Sequence, residues 1–92
     1  MNAYLPTPMS IVEARLELPS VFTFTFAPAG GFGFQPGQFN MLYVHGVGEV
    51  PISISCDPAQ PERLVHTIRA VGTVTKAMQL LAPGDMLVVR GP

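Results

Sequence analysis

Hydrophobic side chains recur at every second position over most of this chain. In VFTFTFA, residues 21–27, Phe22, Phe24 and Phe26 share one face while Thr23 and Thr25 share the other, the two-residue period of a half-buried β-strand. The phenylalanine face belongs in a core. Residues 10–18, SIVEARLEL, alternate more loosely, and FNMLYVHGV, GEVPISIS, RLVHTIRAV and DMLVVRG continue the strand character, which makes six predicted strands. Turn signals separate them: Pro19-Ser20, the long PAGGFGFQPGQ connection, Gly46-Val47-Gly48 and CDPAQPE. Within FQPGQF, Pro36-Gly37 predicts a type II turn with the glycine at positive φ. One segment changes period. Val74, Ala77, Met78 and Leu81 recur at i, i+3, i+4 and i+7, predicting a helix over about residues 74–82. Thr73 is its expected N-cap and Pro83-Gly84 its stop, and Lys76 stands where a capping box would need Glu or Gln. The pattern is all-β: an antiparallel barrel or sandwich with one short helix, closure into a barrel having the merit of hiding strand edges.

Composition narrows what such a domain can do. The chain has 92 residues, 48% hydrophobic and 12% charged, enough for one core and too apolar for disorder. A formal net charge of −1 supplies no field for holding nucleic acid, and no basic–aromatic surface pattern suggests one. The basic residues are unevenly placed, with Arg63, Arg69, Lys76 and Arg90 all in the last third, where they can serve a local anion. A single cysteine, Cys56, excludes an internal disulfide and a multi-cysteine metal site, and with only His45 and His66 beside it no metal centre is expected. No apolar run reaches the length of a membrane span, and MNAYLPTPMS lacks the basic-then-apolar order of a secretory signal, so a cytoplasmic protein is expected.

Two stretches carry candidate chemistry. In IRAVGTVT a strand runs into Gly72 and then a helix start, where the early N–H groups have no intrahelical partner and the dipole adds partial positive charge. Thr73 and Thr75 add hydroxyls, and Arg69 and Lys76 add charge, a set suited to phosphate. The plainer reading makes Thr73 a cap, Gly72 a turn residue and Arg69 part of a solvated strand face. In GEVPISIS the proline has no N–H, so the strand belongs at an edge, a start or a bulge. Its uncharged face could lie against a flat heterocycle, with Ser53 as donor and acceptor, or could simply present serines to water. No pair of groups resembles a general acid and base, and no catalytic residue is expected.

Taken in order, FQPGQF, PISI, IRAVGTVT and LAPGDMLVVRGP resemble the flavin-binding domain of the ferredoxin–NADP reductase superfamily. Within it they are similar to the gamma subunits of nickel–iron hydrogenases or sulfur reductases and to the electron-transfer subunits of dihydroorotate dehydrogenase. The resemblance implies a six-stranded antiparallel Greek-key barrel holding FAD, with FMN as the alternative. The usual Arg-x-Tyr-Ser, or Arg-Pro-x-Ser, motif falls on Val50 to Ser53, so the arginine is replaced by Val50 and the aromatic by Ile52. Pro51 and Ile52 would then make apolar contact with the ring, and Ser53 would direct a hydrogen bond to its N5 and O4 edge. Arg69 would offset the lost arginine, Gly72, Thr73, Val74 and Thr75 would contact the diphosphate, and Ile68 and Ala70 would border the ring or ribityl chain.

The resemblance also implies that Gly91-Pro92 begins a link to a nicotinamide-binding domain. Residues 1–92 then form a single flavin-binding barrel domain, the N-terminal part of a longer reductase that passes electrons between NAD(P)H, flavin and an iron–sulfur partner or a hydrogenase or reductase subunit. Alone it should not oxidise NAD(P)H, and a homodimer could form through the surface the second domain would cover. The competing expectation is a cofactor-free small β-barrel that serves as a protein-binding or assembly module.

Overall fold

Phe22, Phe24 and Phe26 are 4%, 1% and 0% exposed, and the rest of the fold is arranged around them. The computed structural model describes residues 5–28, 31, 33–35, 37–55 and 62–91; Cys56, Pro36 and Pro92 lie outside the described residues. Seven strands and one helix follow in the order β1 (Thr7–Ser10), β2 (Glu13–Leu18), β3 (Val21–Phe26), β4 (Phe39–Val44), β5 (Gly48–Ser53), β6 (Leu64–Arg69), α1 (Thr73–Met78) and β7 (Met86–Arg90). One antiparallel sheet has the order β1-β7-β4-β5 and the other β2-β3-β6. Their inner faces bury Ile11, Leu42, Leu64, Ile68, Met78, Leu87 and Val89 with the phenylalanines.

The expected all-β class holds, but the six-stranded closed barrel is corrected to seven strands in two sheets. The additional strand, β1, lies just before the segment predicted as one strand over residues 10–18 and shares only Ser10 with it. Its chain changes sheets at Ile11–Val12: Ile11 N–H donates to Asp85 O at 2.8 Å on one side, and Val12 N–H donates to Thr25 O at 2.8 Å on the other. Residues before that corner form β1, where Pro8 is tolerated because β1 is an edge strand. The corner also covers Thr25, which is 7% exposed although it lies on the polar face of β3. At the free edge of the second sheet, β2 carries Glu13, Arg15 and Glu17 outward as a linked row, with Arg15 3.2 Å from Glu13 and 3.8 Å from Glu17.

Closure is incomplete between β5 and β6. The two strands meet at one isolated antiparallel bridge, Ile54 opposite His66. Ile54 N–H donates to Gln38 O on the β4 side, whereas Ser55 N–H donates to Val65 O on the β6 side. By the alternation of an antiparallel strand, odd-numbered residues of β5 therefore aim their N–H groups at β6. The donor after Ser53 in that row belongs to position 51, and proline has none. Beyond this bridge the strands part into a seam, and position 51 has no donor with which to resume the ladder.

Helix α1 packs at the mouth of that seam. Gly48, at φ +149, would put a Cβ 3.1 Å from Val74 Cγ2, so the close approach of helix and strand requires a residue without one. The expected N-cap, Thr73, is corrected to Gly72. Thr75 organises the turn instead: its Oγ1 accepts from Val71 and Gly72 N–H, each at 3.0 Å. This is the reaching-back half of a capping box, made by a hydroxyl where Glu or Gln is usual. Regular α-helix ends at Met78 rather than 82, because Leu80 and Leu81 N–H bond three residues back, to Ala77 and Met78 O. The turn at Gly37 is as predicted, with φ +86 and Gln38 N–H donating to Gln35 O at 3.2 Å.

Gly48→Ala should cost roughly 1–3 kcal/mol through the positive φ and the clash with Val74. Urea unfolding of the variant against wild type reads the loss, and a Val74→Ala partner change should recover part of it.

Candidate functional site

The two edges of the seam come from the two stretches singled out in the sequence. On β5, Pro51 and Ser53 are exposed, while Val50 and Ile52 are half-buried and pack on the core. On β6 and its continuation, Arg69, Gly72 and Thr73 are exposed and Ala70 and Val74 are half-buried. The antiparallel register set by Ile54 and His66, continued along the seam, puts Arg69 at the position opposite Pro51. From the Gly48 end, where α1 packs, to Ser53 the strand runs about 17 Å at the usual rise per residue. Ser53 and the Gly48–Val74 contact thus lie along one strand.

Two of the expected contacts take a different form. Ile68 is 1% exposed and its side chain lies in the core, so it can offer a ligand only backbone. Thr75 is 6% exposed, and its hydroxyl, already accepting from Val71 and Gly72, lies 3.2 Å from Gly72 O as well. It holds the turn in shape and has little left to give a phosphate. What remains open is backbone. Gly72 contributes no side-chain cap, so the N–H groups of the first helical turn are not covered from within.

The charges around the seam suit an anion. Among the described residues Arg69 makes no ion pair. Glu49, at the β5 side of the mouth, is held by Arg90, with Oε1 2.8 Å from Nη2 and Oε2 3.3 Å from Nε; the hydrogen-bonded carboxylate raises the Arg90 pKa. A carboxylate that would repel phosphate is thereby paired off. At the closed end a row of hydroxyls runs across the outer face, Thr23 Oγ1 to Thr67 Oγ1 at 3.1 Å and Thr67 Oγ1 to Ser55 Oγ at 3.5 Å. Thr67 was not singled out in the sequence, and its place beside Ser55 comes only from strand pairing.

Beneath the seam lies a buried polar pair. His66 and Asn40 are both 0% exposed, and His66 Nε2 is 2.8 Å from Asn40 Oδ1. Asn40 Nδ2 donates to Gly91 O at 2.8 Å, which leaves its oxygen as the acceptor and makes Nε2 the protonated ring nitrogen. Nδ1 is buried without a partner, and Phe26 stands edge-on at 5.8 Å. Burial lowers the His66 pKa from 6.5 to about 4. Among the described residues no cluster of His, Cys, Asp or Glu could hold a metal, and no helix is long and apolar enough to cross a membrane.

This geometry has counterparts. The chain is 43% identical over 84 residues to sulfhydrogenase 1 subunit gamma of Pyrococcus furiosus, spanning 88% of this chain and 29% of that protein. It is 37% identical over 92 residues to a probable dihydroorotate dehydrogenase B (NAD(+)) electron transfer subunit of Methanopyrus kandleri, spanning 100% of this chain and 34% of that one. Among solved structures it superposes, with a TM-score of 0.79 and 19% identity, on a Neisseria gonorrhoeae ferredoxin NADP+ reductase with bound FAD and NADP, over 92% of this chain and 36% of that one. It has the ferredoxin–NADP reductase fold. By sequence it is a homologue of hydrogenase gamma subunits and dihydroorotate dehydrogenase electron-transfer subunits, and it spans about a third of the length of those relatives. No protein-family model matches the chain.

Because the folded His66 pKa lies below its ordinary value, the unfolded chain binds the proton more readily. The stability involved is fully present above pH 6.5 and is lost as pH falls toward 4, amounting to roughly 3 kcal/mol. Urea unfolding at stepped pH values should trace this decline, and His66→Leu should flatten it in that window.

Proposed function

We propose that this chain is the FAD-binding part of an NAD(P)H-linked electron-transfer oxidoreductase. The observation that supports the reading most is the parting of β5 and β6 after Ile54 and His66, beside an uncharged β5 wall and a helical turn without a side-chain cap, in a homologue of electron-transfer subunits. Pro51 and Ile52 would give the ring an apolar support, and Ser53 would offer its hydroxyl to the N5 and O4 edge. The diphosphate would rest on the backbone of Gly72, Thr73 and Val74, with the Arg69 guanidinium on the same edge neutralising it. Thr75 acts by shaping that turn, Ala70 borders the ribityl path, and Ile68 supports it from the core.

The charges along the seam support binding of such a dinucleotide. No glutamate or aspartate lies on residues 50–54 or 64–75, and Glu49 is neutralised by Arg90. The position opposite Pro51 is an arginine, which answers the valine at position 50. A bound flavin would exchange hydride with a nicotinamide and single electrons with an iron–sulfur partner, the rest being orientation and electrostatics supplied by the protein. The nicotinamide site, the hydrogenase or reductase partner subunits, a cytoplasmic location and self-association of this chain belong to the same proposal; the sequence relationship to multisubunit electron-transfer proteins supports them. FMN in place of FAD would be recognised on acid release of the cofactor.

Titration of the purified chain with FAD, followed by quenching of flavin fluorescence, tests the reading. Saturable quenching is expected, and Arg69→Ala should weaken it roughly tenfold, the scale of one charge-assisted hydrogen bond. Pro51→Ala, which restores a donor to the β6-facing edge, should lengthen the β5–β6 ladder and reduce binding too. Quenching that never saturates, in this chain and in a longer form carrying it, would overturn the proposal.

A further inference from the structure

The buried Asn40 sits where three parts of the molecule meet. On β4 it pairs with Ile52 of β5, the residue assigned to the ring. Through Oδ1 it meets His66 of β6, the residue whose backbone makes the bridge to Ile54. Through Nδ2 it donates to the Gly91 carbonyl at 2.8 Å, with the Arg90 carbonyl 3.5 Å away. The β4–β7 ladder ends at Met41 opposite Arg90, so the register position opposite Asn40 is Gly91. The side chain of Asn40 takes over there from the backbone ladder. Gly91 lies at φ +85, with its Cβ position 3.7 Å from Phe39 O; the chain turns away from the sheet directly beside β4.

We infer that Asn40 is a positioning residue: it ties the point where the chain leaves β7 to the closed end of the β5–β6 seam, so that the direction of the backbone at Gly91 and the shape of the seam are set together. The functional consequence rests on reading the seam as the flavin site, whereas the brace itself does not. An amide suits the task because it has an acceptor for the imidazole and a donor for the carbonyl. Asp would keep the first and lose the second, Leu would lose both, and neither could leave the Gly91 carbonyl satisfied from this position. Any polypeptide joined after residue 92 would start from a point fixed relative to Ile52 and Ile54. A nicotinamide-binding segment placed there would inherit its orientation toward the ring from Asn40.

NMR on the unaltered chain and on two variants tests the brace. In wild type, the Asn40 side-chain NH2 protons should exchange slowly with solvent and show cross-peaks to Gly91. In Asn40→Asp the Gly91 heteronuclear NOE should fall toward that of a frayed end, the Ile52 and Ile54 amides should shift, and protection at Ser55 should drop roughly tenfold, the scale of one hydrogen bond. His66 should meanwhile titrate higher, beside a carboxylate. Asn40→Leu should free Gly91 without raising the His66 titration. Rapidly exchanging Asn40 protons in wild type, or a Gly91 NOE unchanged in both variants, would overturn the inference, and the wild-type measurement decides it even if neither variant folds. FAD affinity measured in parallel separates the two readings: wild type that takes no flavin counts against the site, while the NMR result still decides the brace.

Discussion

β5 and β6 pair at Ile54 and His66 and then part, and position 51, which has no N–H, cannot help them to rejoin. The seam follows from that parting. Two strands that stay together to their ends would close the sheets into a barrel and leave no groove. Helix α1 packs beside β5 and β4, and Gly48 lets it come within van der Waals reach of β5. The parting leaves Pro51, Ile52 and Ser53 on one bank and Arg69 to Val74 on the other. Backbone pairing thus shapes the seam, and side chains furnish it.

The furnishing follows from electrostatics at close range. A helical turn beginning at glycine keeps its early N–H groups uncovered, while Thr75 consumes two others to hold the turn rigid. Glu49 would oppose an anion at the mouth, but the two-point contact with Arg90 ties its charge to β7 of the same sheet. With a net charge of −1 the molecule has no long-range attraction for a phosphate. Recognition has to come from these few groups, within a Debye length of the site.

Much of this was legible in the sequence because it depends on local rules. The Phe22, Phe24, Phe26 alternation, the Pro36-Gly37 turn signal and the i, i+3, i+4, i+7 stripe from Val74 each report on neighbours in the chain. Pro51 read as an edge residue, and so it is. What escaped depends on partners far apart. The corner at Ile11–Val12 exists because Asp85 and Thr25 accept its two N–H groups, and no pattern within residues 10–18 announces it. The Asn40–His66 pair joins residues 26 apart, and its histidine sits in a strand position that merely looks polar. Thr75 illustrates a third kind of miss. A hydroxyl two residues beyond the expected cap was assigned to a ligand, when the nearest orphan N–H groups already claimed it.

The charged row on β2 has its own consequence. Leu16 and Leu18 stand 64% and 62% exposed on a strand whose outer edge is free, a combination that invites neighbouring copies to add strands in crowded solution. Glu13, Arg15 and Glu17 alternate with the apolar positions along that strand, already paired with one another. An incoming strand would have to strip water from all three charges, a cost that opposes strand addition along that rim.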